Sequence, residues 1–264
     1  MISNTTTLAL LVAATNAAGY SFAQNGADWP TTYPLCGTGK EQSPIDLTSG
    51  TANDKLKLTP TGYYDFKATT TEIDGVRWAS NAADAIQKET GRAAWHTNLP
   101  LPTQRAAANL QITGADGSIT GDYTPIQFHF HAPSEHTVDG KYYDAEMHFV
   151  HTVKGSDTTY GAVIGVFFDK VEGGATDNPF LTTFFDSIGS ADTAAADAKA
   201  AIAVNDFLAS IDATAFYSYN GSFTTPPCTE GIKWSVMKKV QPISEAQLTK
   251  FTERLAGNTK FAAG

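Results

Sequence analysis

Five of the six histidines in this 264-residue chain fall between positions 129 and 151, and two of them alternate with phenylalanines in Gln127-Phe128-His129-Phe130-His131. That spacing leaves little choice of local structure. Side chains two apart on a strand share a face, so His129 and His131 project together while Phe128 and Phe130 point the other way. The two histidine Cα atoms are then roughly 6.5–7 Å apart, a reach at which two imidazoles converge on one metal ion. Residues 124–131 keep the alternation over a strand's length, residues 145–153 repeat it around His148, and residues 161–168 are nearly all apolar. These three segments read as neighbouring strands of one sheet, the last buried on both faces.

His148 supplies a third nitrogen from the next strand. Three protein nitrogens with an open fourth position make a catalytic zinc site, whereas a structural zinc is closed by four ligands. A lone strand histidine is most often a satisfied core residue; the pairing of His-x-His with a downstream Glu-x-His argues for metal. Glu146, on the face of His148, reads either as a fourth ligand or as an outer carboxylate that orients an imidazole. Glu135 and His136 follow in a Pro-Ser-Glu-His turn, where the carboxylate either steers a hydroxyl proton or forms a surface salt bridge.

The rest of the chain sets the frame. Its length suits one large domain. Helix is scarce: residues 191–210 are alanine-rich with Asp192 at the N-cap position, and a second helix starts near Ser244. Short strands and turn signals dominate elsewhere, among them Leu110-Gln111-Ile112 followed by the turn at 114–117, so the fold class is mainly β with a few helices. Nothing alternates as βαβ units. A net charge of −9 and a pI near 5.0, with no basic patch, argue against nucleic acid as a partner. No apolar run is long enough to span a bilayer. Residues 8–14 (LALLVAA), followed by Ala17, Ala18 and Gly19, read as the core and cleavage region of a secretory signal over 1–18, although no Lys or Arg precedes Lys40. Cys36 and Cys228 are the only cysteines. They exclude a cysteine zinc site; by spacing alone, one bridge and two buried thiols are equally consistent.

Longer motifs point to a family. The run from Gln127 to Gly140 (QFHFHAPSEHTVDG), with Glu146-Met147-His148-Phe149-Val150-His151, closely resembles the zinc site of α-class carbonic anhydrases. Ser222 to Pro227 (SFTTPP), Trp234, Gln42-Ser43-Pro44-Ile45-Asp46 and Gly19-Tyr20 are further matches, so the resemblance runs from about residue 19 to about 255. Ala132-Pro133 after the histidine pair is similar to the plant and algal branch. The resemblance implies a single domain over 19–264, built on a large, twisted, mostly antiparallel central sheet with short peripheral helices. It also implies reversible hydration of carbon dioxide to bicarbonate by zinc-bound hydroxide, with weak ester hydrolysis on the side and inhibition by sulfonamides and anions. The rival class is a catalytically silent, carbonic-anhydrase-like binding domain.

Carried over by position, the resemblance makes His129, His131 and His148 the zinc ligands and Gln127, Glu146 and Tyr20 their outer partners. Thr224 becomes the hydroxyl that hands its proton to Glu135. Val150, Val163, Phe223 and Trp234 become the apolar wall for carbon dioxide, and Thr225 lines the bicarbonate side. Ser43, His136 and Tyr219 match polar positions that brace the site. His96, 33 residues before His129, takes the place of a proton shuttle. Exported relatives resemble this chain in bridging the regions of Cys36 and Cys228, which implies secretion, a periplasm or an organelle lumen. Three departures stand out. Phe223 replaces the usual Leu and would crowd the pocket. An insertion lies between Ser43 and His96. The family's last strand, which braces the second zinc histidine, falls beyond Gly264.

Overall fold

Because successive strand residues point to opposite sides, a sheet covered on both faces sorts its sequence into two sets, and this chain does so sharply. The computed structural model describes residues 20, 24, 26–48, 56–61, 76–77, 96–98, 109–156, 158–171, 174–188 and 204–256. The short helices α1 (Trp29–Thr32) and α2 (Leu35–Thr38) come first, then strands β1 (Asp46–Leu47), β2 (Leu56–Thr61), β3 (Val76–Arg77), β4 (His96–Asn98), β5 (Asn109–Gly114) and β6 (Ile119–His131). After β6 come β7 (Thr137–Val138), β8 (Ala145–Val153) and β9 (Tyr160–Lys170), then helices α3 (Pro179–Ile188) and α4 (Val204–Ser210). Strands β10 (Phe216–Ser222), β11 (Glu230–Met237) and β12 (Gln241–Ile243) and helix α5 (Glu245–Ala256) complete the described order.

Ten of these strands form one sheet in the order β10-β11-β9-β8-β6-β4-β3, with β12 also on β9 and β5 joining β6 to β2. The pairings are antiparallel except that β11 and β12 run parallel to β9. The expected large, mostly antiparallel sheet with short helices is therefore what forms. The three strands read from the sequence do lie side by side, and β9 is buried on both faces. The helix expected over 191–210 is seen only as α4, its remainder lying outside the described residues, as do the leader-like stretch 1–18 and residues 257–264.

One face of the sheet carries Phe128 and Phe130 from β6, Met147 and Phe149 from β8, and Ile164, Val166 and Phe168 from β9, packed under Phe184, Phe207 and Phe251 of the helices. These rings interlock, with Phe130 at 5.0 Å from Phe184 and 5.2 Å from Phe251 between centroids. Fully burying a ring of this size is worth about 1.5–3 kcal/mol. The other face carries Val150, Val163, Phe167, Ile232, Trp234 and Val236. A slip of one residue would exchange the two sets wholesale, so the register is strongly specified. The helices are sewn on by reciprocal caps. Ser244 Oγ accepts from the Gln247 N–H at 3.1 Å and Gln247 Oε1 accepts from the Ser244 N–H at 3.4 Å, a capping box that starts α5. The same Gln247 amide accepts from the Asn178 N–H and donates to the Asn178 carbonyl, tying the start of α3 to the start of α5.

His151 falls on the helix-covered face, fully buried, and burial pushes its imidazole pKa down from 6.5 to about 3. Below pH 6.5 the unfolded chain therefore binds a proton that the folded chain refuses. The stabilisation is complete above pH 6.5 and is lost as the pH falls toward 3. Replacing His151 by Gln should make the unfolding free energy fall less steeply than wild type between pH 6.5 and about 4.5, by about 1.4 kcal/mol per pH unit, in urea titrations at several pH values. Equal slopes in the two proteins would show that the ring titrates freely.

Candidate metal centre

His129 and His148 sit directly opposite each other on the antiparallel pair β6–β8, and His131 sits opposite Glu146. This register brings the imidazoles of His129, His131 and His148 together, with ring centroids 4.6–5.1 Å apart. One nitrogen from each lies within 4.8 Å of the others. His131 and His148 are buried, and His129 is partly open. Three imidazoles without a thiolate, closed on one side by the sheet and open on the other, suit a zinc ion with a free position.

A second cluster of possible donor atoms, His136, Glu146 and His148, has a different character. Its members already bond one another: Glu146 Oε1 accepts from His148 Nε2 at 2.8 Å and from His136 Nδ1 at 2.7 Å. Glu146 Oε2 accepts from the backbone N–H groups of Glu135 and His136 at 2.8 and 2.9 Å. Burial alone would raise the Glu146 carboxyl; the two adjacent rings and their hydrogen bonds outweigh it and hold the group well below the usual carboxylate range. An ionised carboxylate only accepts, so the proton of the His148 ring sits on Nε2 and Nδ1 is left for a metal. Both Glu146 oxygens are thus engaged by donors, the arrangement of a carboxylate that orients an imidazole.

The chain of contacts continues away from the metal. His136 Nε2 meets Tyr219 Oη at 2.7 Å, and Tyr219 Oη meets Ser43 Oγ at 2.8 Å. Burial pushes the Tyr219 phenol far up, so it keeps its proton. The phenol thus joins the ring of His136 to the hydroxyl of Ser43 in one unbroken series of hydrogen bonds. Ser43 Oγ in turn accepts from the Ser222 N–H at 3.0 Å, while Ser222 Oγ accepts from the Ser43 N–H at 2.9 Å. The Trp234 indole N–H donates to the Ser222 carbonyl at 3.0 Å. Residues far apart in sequence are thereby linked, end to end, to one zinc-facing ring.

The centre opens into a cleft of about 210 Å³. Val150, Val163, Phe223 and Trp234 line it, as do Thr224 and Thr225, the residues that the family resemblance implies for the apolar wall and the polar side. Tyr160, Pro226 and Pro227 line it too, and sequence reading did not find them. Cys36 and Cys228 are joined, with 5.1 Å between Cα atoms, directly after this loop. Glu135 is buried beside His131, with Oε2 3.5 Å from Nε2, so it is no surface salt bridge. Tyr20 packs edge-on against Trp29 and Tyr33; it is not among the residues that line the cleft. The backbone of β4 pairs with β6 at Thr97–Phe128 and Asn98–Gln127, which sets His96 at the His129 end of that pairing. The side chains of His96 and Gln127 lie outside the described residues.

The chain's relatives agree with this geometry. The family model for eukaryotic-type carbonic anhydrase matches residues 24–262. Alpha carbonic anhydrase 3 of Arabidopsis thaliana is 33% identical over 234 residues, covering 88% of this chain and 70% of the relative. Among solved structures, the Photobacterium profundum alpha-carbonic anhydrase superposes with a TM-score of 0.60 at 30% identity, covering 88% of each chain. Carbonic anhydrase Cah3 from Chlamydomonas reinhardtii, solved in complex with acetazolamide, does so with a TM-score of 0.62 at 28% identity, covering 87% of each. By its family match, by its fold and by the three-histidine centre in its sheet, this chain belongs to the eukaryotic-type, α-class carbonic anhydrase family, whose members are zinc-dependent lyases of carbon dioxide and bicarbonate.

Proposed function

We propose that this chain hydrates carbon dioxide reversibly at the three-histidine centre, with His129, His131 and His148 holding the zinc. The observation that carries the assignment is the convergence of those nitrogens at the base of a cleft walled by Val150, Val163, Phe223 and Trp234 on one side and by Thr224 and Thr225 on another. An uncharged, nonpolar substrate offers nothing for a charge to hold, so an apolar wall is what retains it. When bound, zinc acidifies water so that a hydroxide nucleophile exists at neutral pH, the established chemistry of carbonic anhydrases.

The protein's own groups orient that nucleophile. In this reading Thr224 Oγ1 donates its hydrogen bond to Glu135, which leaves the threonine a lone pair facing the cleft. A hydroxyl so polarised accepts a hydrogen bond from the attacking oxygen and directs its remaining electron pairs at the apolar wall. Glu146, with Gln127 beside the histidines in sequence, keeps the ring tautomers correct. Tyr20 would extend the polar network, and His96, on the strand next to β6, would relay the released proton to solvent. Sulfonamides and anions should inhibit, as the acetazolamide complex of the Chlamydomonas relative suggests. The alternative of a silent binding domain is disfavoured because all three histidines, Glu135 and Thr224 are present.

The export reading rests on the Cys36–Cys228 bridge and on the leader-like stretch over 1–18. An exporting host given the chain with residues 1–18 should return protein cut between Ala14 and Ala18, with no thiol alkylated before reduction. Uncut protein with two reactive thiols would refute export. His129→Ala, His131→Ala and His148→Ala should each lower bound zinc, measured by atomic emission, and abolish hydration in stopped flow. Full activity with any two of the histidines would overturn the assignment. Thr224→Ala should keep its zinc but lose about 10²-fold in hydration rate. Glu135→Gln should do the same, since an amide can donate and so reverse the polarity of the threonine; wild-type rates in Glu135→Gln would refute the proton direction.

A further inference from the structure

Tyr160 reaches the cleft by a device that plain alternation does not provide. Along β8 and β9, Val150 pairs with Val163 and His151 with Ala162, but Thr152 pairs with Tyr160. Gly161 is therefore an extra residue in β9, a bulge, and bulges re-aim neighbouring side chains. Thr152 shares the face of Val150, so its partner Tyr160 is turned onto the same face as Val163, the face of the cleft. Glycine is needed at the bulge: a Cβ on Gly161 would come within 2.7 Å of the Tyr123 ring and 2.9 Å of Val153. Once turned in, the Tyr160 ring meets Phe223 edge to face, with centroids 4.9 Å apart and planes at 82°. Tyr160 remains 42% exposed, which places it at the mouth of the cleft and not in its floor. An edge-to-face pair of this kind is worth roughly 0.5–1.5 kcal/mol beyond the area it buries, enough to hold both rings in place.

We propose that Tyr160 is a specificity-determining residue: braced on Phe223, its ring forms a lip that limits the apolar wall to substrates about the size of carbon dioxide and keeps larger carbonyl compounds, such as esters with long acyl chains, from the histidine centre. This rests on the function proposed above, because the lip matters only if an attacking group stands at that centre. The ring's bulk does the excluding and the phenol oxygen does not, so Tyr160→Phe is the control.

The test uses zinc-loaded wild type, Tyr160→Ala, Tyr160→Val and Tyr160→Phe, and reads a ratio within each protein. That ratio is kcat/KM for 4-nitrophenyl butyrate over kcat/KM for 4-nitrophenyl acetate. It should rise on the order of tenfold in Tyr160→Ala, the scale of steric discrimination per methylene in an apolar pocket, and stay within about twofold of wild type in Tyr160→Phe. Binding gives an independent readout. By calorimetry, the affinity for benzenesulfonamide relative to methanesulfonamide should shift in favour of the larger ligand in Tyr160→Ala only. A general loss of structure would lower both members of each pair and leave the ratios unmoved. Unchanged ratios in Tyr160→Ala, or in Tyr160→Val, with zinc content and near-UV circular dichroism equal to wild type, or equal changes in Tyr160→Phe, would overturn the lip while the wild-type hydration rate still upheld the function. A wild type that bound zinc but neither hydrated carbon dioxide nor bound either sulfonamide would remove both.

Discussion

A carboxylate buried in a sheet is expensive, and the centre is arranged around satisfying it. Glu146 is fully buried and takes four hydrogen bonds, two from imidazoles and two from backbone N–H groups. Removing any donor would leave charge uncompensated where water cannot reach, a loss of several kcal/mol. The turn after β6 has to close with the Glu135 and His136 amides facing inward, His136 has to present Nδ1, and His148 has to present Nε2. The geometry of the metal-facing nitrogen is in this sense a by-product of neutralising one buried acid. The same constraint explains why the polar chain runs on through Tyr219 to Ser43 and Ser222: each buried donor needs its own acceptor, and the series ends only where backbone groups complete it.

Stability and chemistry occupy opposite faces of the same three strands. Phe128, Phe130, Met147 and Phe149 face the helices, while His129, His131, His148 and Val150 face the cleft. The aromatic face fixes the register, and the register sets the histidines opposite one another. Rigid strands suit such a centre better than loops do, because an error of an ångström in one ligand is a large error for a metal.

Much of this was legible in the sequence, for identifiable reasons. The pattern Gln-Phe-His-Phe-His states both the strand and its two faces, and Glu-x-His states the neighbouring strand, so period 2 puts His129 and His131 on one face and Glu146 and His148 on one face. The helix expected to start near Ser244 is α5, whose start the structure shows closed by the Ser244–Gln247 capping box. The cysteine pairing did not follow from spacing; family resemblance supplied it, and the structure has the bridge. What escaped was what breaks the period. Bulges such as those at Ile126 in β6 and Gly161 in β9 shift the faces, and a bulge in one strand is defined only by the strand it pairs with. Hence the sequence reading began the apolar run at Gly161 and passed over Tyr160. The concern that Phe223 would crowd the pocket likewise treated the ring alone, without the partner that it packs against. Whether Glu146 is a fourth ligand or an orienting group was open in the sequence; in the structure both of its oxygens accept hydrogen bonds.

The bridge between Cys36 and Cys228 spans 192 residues of sequence, and it lies beside the loop of Thr224 and Thr225. A ribosome releases Cys36 early and its partner late. The three histidines, within residues 129 to 148, have left the ribosome before that clamp can close, but Trp234 and Phe251, which pack against the two faces of their strands, follow Cys228 in the chain. The packing and hydrogen bonds that gather the histidines need no oxidant, whereas the clamp beside the substrate-facing wall does.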